Sequence, residues 1–435
     1  MISERSKRLL ATTAIVGLAA LSAGCGGGGN NTGGGVDAVR VGLLFPTSGA
    51  FATLGQDQAN GAKMVLEWAN ANGGVGGVPV EIYEGDSQSD PGVGATVAQR
   101  LIDQNDVDII IGSYSSAISQ AILPVAQRSD VILWEVGAVS RDINADGNPN
   151  FLRTLGSAET YAKANVDFLT GYLAEQLGKP VEDVRVAIVN EDGAFGSSVA
   201  EYLDELAAQK HLTIVARDSY PVDSKDLTPL ILRVKQAAPD VLFLVPLVAD
   251  SQLFWDQART QDLNIPAVIG SAGFGSPVFP ERFGPAGVEG AYNVEPPALA
   301  NMNLDSLDPD VQTLVTGWLA DFERAHGKPC LVHCGDGIGG AYVLVKDVLP
   351  RALAEAGNVD SASIVAAAGK TDIPAGSTPQ GFGVKFSPPG AENVGDNAAA
   401  YSTIMQWQNG ELNVVWPREI AGAEPVFPMP TWDKR

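Results

Sequence analysis

Eight short apolar runs, separated by segments of helix length, constrain this chain more than anything else in it. They are VRVGLLFP, VPVEIYEGD, VDIIIG, VILWEV, VRVAIVN, LTIVARDSY, DVLFLVP and IPAVIG. Val, Ile and Leu fill nearly consecutive positions, the mark of strands buried on both faces of a parallel sheet. The segments between them are helical in period. Gln56–Asn72 places Ala59, Ala62, Val65, Leu66 and Ala69 on one face. Val93–Gln104, Ala117–Arg128, Ala158–Leu177, Gly196–Lys210, Leu227–Ala238 and Ser251–Gln261 repeat the pattern. Strand–helix–strand repetition predicts an α/β fold with parallel sheets flanked by helices and right-handed crossovers.

The rhythm breaks after four strands, at RDINADGNPNFLRTLGS, and then resumes. With 435 residues the chain is too long for one core, so the break is read as a passage between two Rossmann-like lobes near Phe151–Leu155. GVEGAYNVEPP and TPQGFGVKFSPPG are read as two further crossings. Lobe 1 is then expected to comprise residues 38–153 and 291–384, and lobe 2 residues 154–290 and 385–416, with a tail at 417–435. Helices are expected over Asp310–Ala325 and Ile338–Ala356. Asn409-Gly410 predicts a hairpin between the last two strands.

The N-terminus reads as an export signal. Arg5, Lys7 and Arg8 precede a short apolar run, Leu9–Ala20, and Leu21-Ser22-Ala23-Gly24-Cys25 resembles a lipobox. Residues 1–24 are expected to be removed, with lipid carried on Cys25 and residues 25–37 serving as a flexible tether. This predicts a membrane-anchored lipoprotein facing the periplasm or the extracellular side. Net charge is −23. Such an acidic surface repels phosphate backbones and excludes nucleic acid as a partner. The remaining cysteines, Cys330 and Cys334, form an even pair that in an exported chain predicts a disulfide.

Chemistry concentrates where strands end, because open α/β sheets bind ligands outside their carboxyl edges. Ser113-Tyr114-Ser115-Ser116 follows the strand Ile109–Gly112 and opens a helix. Unpaired N–H groups and hydroxyls there suit an anion. Glu135 ends another apolar strand and is expected to point into the cleft, either toward a ligand or into an ion pair with Arg141 or Arg153. No G-x-S-x-G elbow occurs, and the histidines are only His211, His326 and His333, so triad hydrolysis is disfavoured and the chain is not read as an enzyme. GDGIGG lacks the strand context of a dinucleotide loop and is read as the glycine-rich start of the helix Ile338–Ala356. DINADG has Arg153 at the position where a calcium loop needs glutamate. His326, Cys330, His333 and Cys334 are too crowded for a zinc site. No cofactor or metal is expected.

The stretch VGLLFPTSGAFATLGQDQANGAKMVLEWANANGGVGGVPVEIYEGDSQSDP is similar to the opening of the branched-chain amino-acid (Leu/Ile/Val-type) binding proteins of ABC importers. NEDGAFGSSVAEYLDELA, GVEGAY and the terminal VWP…FPMPTW continue the match over about residues 38–430. The resemblance implies a type I periplasmic binding protein fold, two lobes joined by three crossings, with a small polar ligand trapped between them. It further implies delivery to the transmembrane subunits of an ABC permease by a monomer; a ligand-sensing receptor built on the same clamshell is the alternative. The implied ligand contacts are Ser115 and Ser116, with Tyr114 beside them, then Ala138 with Val139 or Ser140. Leu54 is the implied apolar wall. On the second lobe the implied contacts are Glu191, Phe195, Leu247 and Ala272. The acid that holds an α-amino group in the family is missing at Ala272 or Gly273, and Glu135 stands where the family has a small residue. The ligand is therefore expected to be an amino acid or a related amide or carboxylate.

Overall fold

The computed structural model describes residues 36–435; the lipobox and Cys25 lie outside the described residues. The chain alternates strands and helices in order. The first lobe opens β1 (Val39–Phe45), α1 (Ala52–Ala71), β2 (Val80–Asp86), α2 (Pro91–Asn105), β3 (Ile109–Gly112), α3 (Ser116–Arg128), β4 (Ile132–Glu135) and β5 (Phe151–Arg153). The second runs α4 (Ala158–Phe168), α5 (Ala174–Leu177), β6 (Arg185–Glu191), α6 (Ala194–Gln209), β7 (Thr213–Tyr220), α7 (Thr228–Ala237), β8 (Val241–Val245), α8 (Val248–Thr260), β9 (Ala267–Gly270), α9 (Val278–Val288) and β10 (Tyr292–Glu295). Helices α10 (Pro309–His326), α11 (Val332–Val343), α12 (Leu349–Ala356) and α13 (Ser361–Ala368) follow, and then β11 (Thr403–Gln408) and β12 (Glu411–Trp416).

Two sheets result. One is parallel, in the order β2-β1-β3-β4-β5; the other is β12-β11-β10-β9-β8-β6-β7, with β11 and β12 antiparallel. Central strands β3 and β8 are buried at every position, as their unbroken apolar runs require, while the edge strands β2 and β7 expose several residues. Helix α2 starts where Asp90 caps the Val93 N–H at 2.8 Å with Pro91 in the first turn. The β11–β12 turn has positive φ at both Asn409 and Gly410, as the Asn-Gly signal predicted.

Three expectations need correction. The first sheet has a fifth strand, β5, in what reads as a crossing; three residues were too short a signal. Tyr292–Glu295 is hydrogen-bonded to β9 and β11, so residues 291–295 belong to the second lobe and the passage follows Glu295. Residues 385–397 stay with the first lobe: Arg153 N donates to Gly395 O, and the buried Arg153 guanidinium pairs with Asp396 at 2.6 and 3.0 Å. The third crossing is the short stretch before β11.

The GDGIGG segment also differs from expectation. Helix α11 begins at Val332, so these glycines lie inside it and not before it. A Cβ at Gly337 would overlap the Gln58 carbonyl oxygen, and one at Gly61 would overlap that of Cys334. The motif is a packing surface that lets α1 and α11 touch backbone to backbone. Cys330 and Cys334 form a disulfide across the first turn of this helix, which removes both thiols from metal chemistry. The C-terminal tail docks on the second lobe: Met429 N donates to Pro266 O at 2.9 Å and the Trp432 indole to Leu263 O at 2.8 Å. No helix among the described residues is long and apolar enough to cross a membrane.

Candidate functional site

The carboxyl edges of both sheets face one cavity of about 220 Å³. Its first-lobe wall carries Phe51, Tyr114, Ser115, Ser116, His333 and Asp336. Its second-lobe wall carries Tyr161, Glu191, Phe195, Leu247, Ala272 and Glu295. Among the described residues, no lysine or arginine lines it.

Helices α3, α6 and α8 all present their N-termini to this space, and the three are not equivalent. At α6, the Glu191 carboxylate accepts from the N–H groups of Gly193 and Gly196. At α8, Asp250 accepts from Leu247 N at 3.1 Å and from the Tyr220 hydroxyl at 2.6 Å. Both helices thus have their partial positive charge answered by an acid of the chain itself. Ser115 caps α3 without a side-chain hydrogen bond, and Ser115 to Ile118 line the cavity. Of these three, α3 alone offers an anion first-turn N–H groups that no acid of the chain already takes.

Glu135 holds that α3 loop from behind. It is fully buried and does not line the cavity, which corrects the expectation that it faces a ligand. It accepts from Ser113 N at 2.9 Å, Gly137 N at 2.8 Å, Ala138 N at 2.7 Å and the Ser119 hydroxyl. Neither proposed cation reaches it: Arg153 pairs with Asp396, and Arg141 reaches across to Glu201 and Glu205 on the second lobe. Ser113 belongs to the same scaffold, with its hydroxyl 2.6 Å from that of Ser119. The three serines therefore divide their work: Ser113 braces the loop, while Ser115 and Ser116 line the site.

Four further residues sit elsewhere than expected. Leu54 is in the core, and Phe51, one turn earlier, forms the wall. Ala138, Val139 and Ser140 are buried behind the cavity, with only Gly137 of their loop reaching it. The reason is that this loop's polar groups are consumed internally. Ala138 N serves Glu135, Ser140 N donates to the Ser116 hydroxyl at 3.2 Å, and the Ala138 and Ser140 carbonyls accept from Arg153. Val139 O accepts from Ala158 N. Tyr114, Ser115, Ser116, Glu191, Phe195, Leu247 and Ala272 do converge on the cavity.

Sequence reading missed Glu295 and Asp336. Glu295 ends β10 and rests against the 271–275 loop, the place left without an acid; Asn293 Nδ2 donates to it at 2.8 Å. Asp336 projects from α11 and accepts from Gln380 Nε2 at 2.7 Å and Gln58 Nε2 at 3.4 Å. The available signals were a glutamate before Pro-Pro and an acid inside a glycine-rich run.

Burial pushes these acids up. Glu191 rises to about 7 and Glu295 to about 8, and Asp336 is held well above the usual carboxylate range, by burial first and by Glu295 second. His333 Nε2 lies 3.5 Å from Glu295, but burial lowers its pKa to about 3, so it is neutral and no ion pair forms. The folded chain therefore holds protons that the unfolded chain, with glutamate near ~4.3, releases. Stability from this source is complete below about pH 4 and is lost as pH rises through 7 and 8. Unfolding midpoints in urea should fall between pH 5 and pH 8.5 for the ligand-free protein, less steeply in Glu295→Gln. A midpoint that is level or rising over that range contradicts the assignment.

The family model described as periplasmic binding protein matches residues 38–410. The Leu/Ile/Val-binding protein homolog 7 of Brucella abortus (strain 2308) is 31% identical over 398 residues, covering 90% of this chain and 94% of the relative. Homolog 8 of the same strain is 31% identical over 395 residues, covering 89% and 93%. Among solved structures, the leucine binding protein LivK of Thermotoga maritima MSB8 superposes with a TM-score of 0.72 at 19% identity, covering 86% of this chain and 97% of that one. A solute binding protein of an ABC transporter from Rhodopseudomonas palustris BisB5, in complex with 3,4-dihydroxy benzoic acid, gives 0.68 at 21%, covering 86% and 95%. Two lobes of parallel sheet, a cavity between their carboxyl edges and a match along nearly the whole chain agree: this chain belongs to the periplasmic binding protein family, whose members bind solutes for transport and are not enzymes.

Proposed function

We propose that this protein is the solute-binding lipoprotein of an ABC importer, anchored outside the cytoplasmic membrane through Cys25 and working as a monomer. It traps one small polar molecule, an amino acid or a related amide or acid, between its lobes and delivers it to the permease subunits. The observation that carries this reading is the interlobe cavity between the carboxyl edges of the two sheets, with the N-terminus of α3, uncapped by any side chain, in its wall. Relatives at 31% identity named Leu/Ile/Val-binding protein homologs support transport of amino-acid-like solutes. The Arg141 bridges to Glu201 and Glu205 span the two lobes and supply contacts that exist only in a closed form.

Tyr114, Ser115, Ser116, Glu191, Phe195, Leu247 and Ala272 are assigned as ligand contacts, with a carboxylate or carbonyl oxygen seated on α3. Ser116→Ala should weaken binding about 10-fold, the scale of one charge-assisted hydrogen bond, with the protein still folded and its unfolding midpoint lowered modestly because Ser140 N loses its acceptor. Isothermal calorimetry with the best solute from a thermal-shift screen measures it. Equal affinity in the variant removes α3 from the site.

A further inference from the structure

Resting on that reading of the cavity, we infer that its ligand is a small organic cation, an amine, guanidine or basic amino acid, whose charged centre is held by Glu295 and Asp336. Four observations converge. Glu295 and Asp336 are 3% exposed and line the cavity from opposite lobes. Their side-chain hydrogen-bond donors are the neutral amides of Asn293, Gln58 and Gln380, so no charge of the protein answers them. Tyr161, itself 4% exposed, lines the same space and brings a phenol to it. The walls are aromatic: Phe51 and Tyr114 pair at 5.5 Å on the first lobe, and Tyr161 and Phe195 at 6.1 Å on the second.

Carboxyl groups among ring faces make a site for a cation. The ring quadrupole attracts positive charge, and a desolvated ammonium gains most from it. As pH rises toward 8 and Glu191 and Glu295 ionise, an anion in the same place would be repelled by them, whereas a cation would be attracted. Without ligand the acids are kept protonated by burial and by one another; His333 and Tyr114 face Glu295 as neutral groups, and Asp250 and Glu191 lie nearby as acids. A bound ammonium replaces those protons, so binding should release them and tighten as pH rises toward about 8. Because Glu295 belongs to β10 and Asp336 to α11, one charged centre touches both lobes and draws them together.

The test is a thermal-shift screen at pH 8 with two groups of probes. Putrescine, agmatine, choline, L-lysine and L-arginine carry net positive charge. L-leucine, γ-aminobutyrate, 4-methylpentanoate, benzoate and isovaleramide do not. The best solute is then titrated by calorimetry into the wild type, Glu295→Gln and Asp336→Asn. The expected result is stabilisation by the cationic group, with each variant binding its best member about 10- to 100-fold more weakly. Two independent variants and the wild-type ranking keep the test valid if one variant folds poorly. Benzoate, isovaleramide or leucine as best ligand, or unchanged affinity in both variants, overturns the cation assignment and leaves the solute-binding reading standing. No shift with any probe, over a wider panel of sugars and nucleosides as well, overturns both.

Discussion

Glu135→Leu is expected to destabilise the protein by about 3–5 kcal/mol, although Glu135 touches no ligand. The side chain accepts from three backbone N–H groups and one hydroxyl, all buried. A leucine of similar length removes the acceptor, leaves Ser113 N, Gly137 N and Ala138 N without partners, and leaves the Ser119 hydroxyl only that of Ser113. Each buried donor so stranded costs about 1–3 kcal/mol, and water relieves some of them. Glu135→Gln should cost less but still measurably, since its amide keeps one acceptor oxygen and turns an NH2 toward donors. The same loop carries Ser115 and Ser116, so ligand affinity should fall with stability. Urea denaturation read on the sheet signal, followed by calorimetry, measures both. A midpoint within experimental scatter of the wild type would falsify the bracing role.

Gly337→Val should be of comparable severity for a different reason. The α1–α11 contact is made by backbone atoms, and a side chain at residue 337 meets the carbonyl of Gln58 and the N–H of Ala62. Backbone cannot rotate away as a side chain does, so the helices must separate. Overpacking of this kind costs about 3 kcal/mol or more. Gln58 also donates to Asp336, so separation slackens the acid that lines the cavity. The expected outcome is a lowered unfolding midpoint together with weaker ligand binding, whereas Gly317→Ala, at an open position of α10, should leave binding unchanged and raise the midpoint slightly. Equal midpoints for Gly337→Val and the wild type would mean that the two helices are not held at backbone distance.

Of the two acids at strand ends that sequence reading recognised, Glu135 was visible because β4 is a clear apolar run, and Glu191 because the segment around it resembles a known family. Glu295 occupies the same kind of position, at the last residue of a parallel strand, but β10 is only Tyr-Asn-Val-Glu. Half of it is polar, because Asn293 serves Glu295 directly. Four residues with that composition give no periodic signal, and their strand character comes from β9 and β11 on either side. Where a strand is assigned as a crossing, its terminal acid drops out of the site with it. Asp336 was overlooked in a related way. GDGIGG suggests a loop by its local propensities, and only close packing against α1 makes it a helix with an acid on its inner face.

From the sequence alone came the alternation of strand and helix, the two lobes, the membership of Ser115, Ser116, Glu191 and Phe195 in the cleft, and the pairing of Cys330 with Cys334. The alternation, the lobes and the serine loop follow from local pattern, because apolar period and strand-end position are written in consecutive residues, whereas Glu191 and Phe195 were implied by the resemblance that NEDGAFGSSVAEYLDELA carries. Which way Glu135 turns, which helix N-terminus stays free, and which acids meet in the cavity were settled by tertiary structure. Each depends on groups far apart in the chain competing for the same few buried donors: Glu191 and Asp250 reach theirs at α6 and α8, Glu135 reaches the loop behind α3, and Glu295 and Asp336 are left facing the cavity.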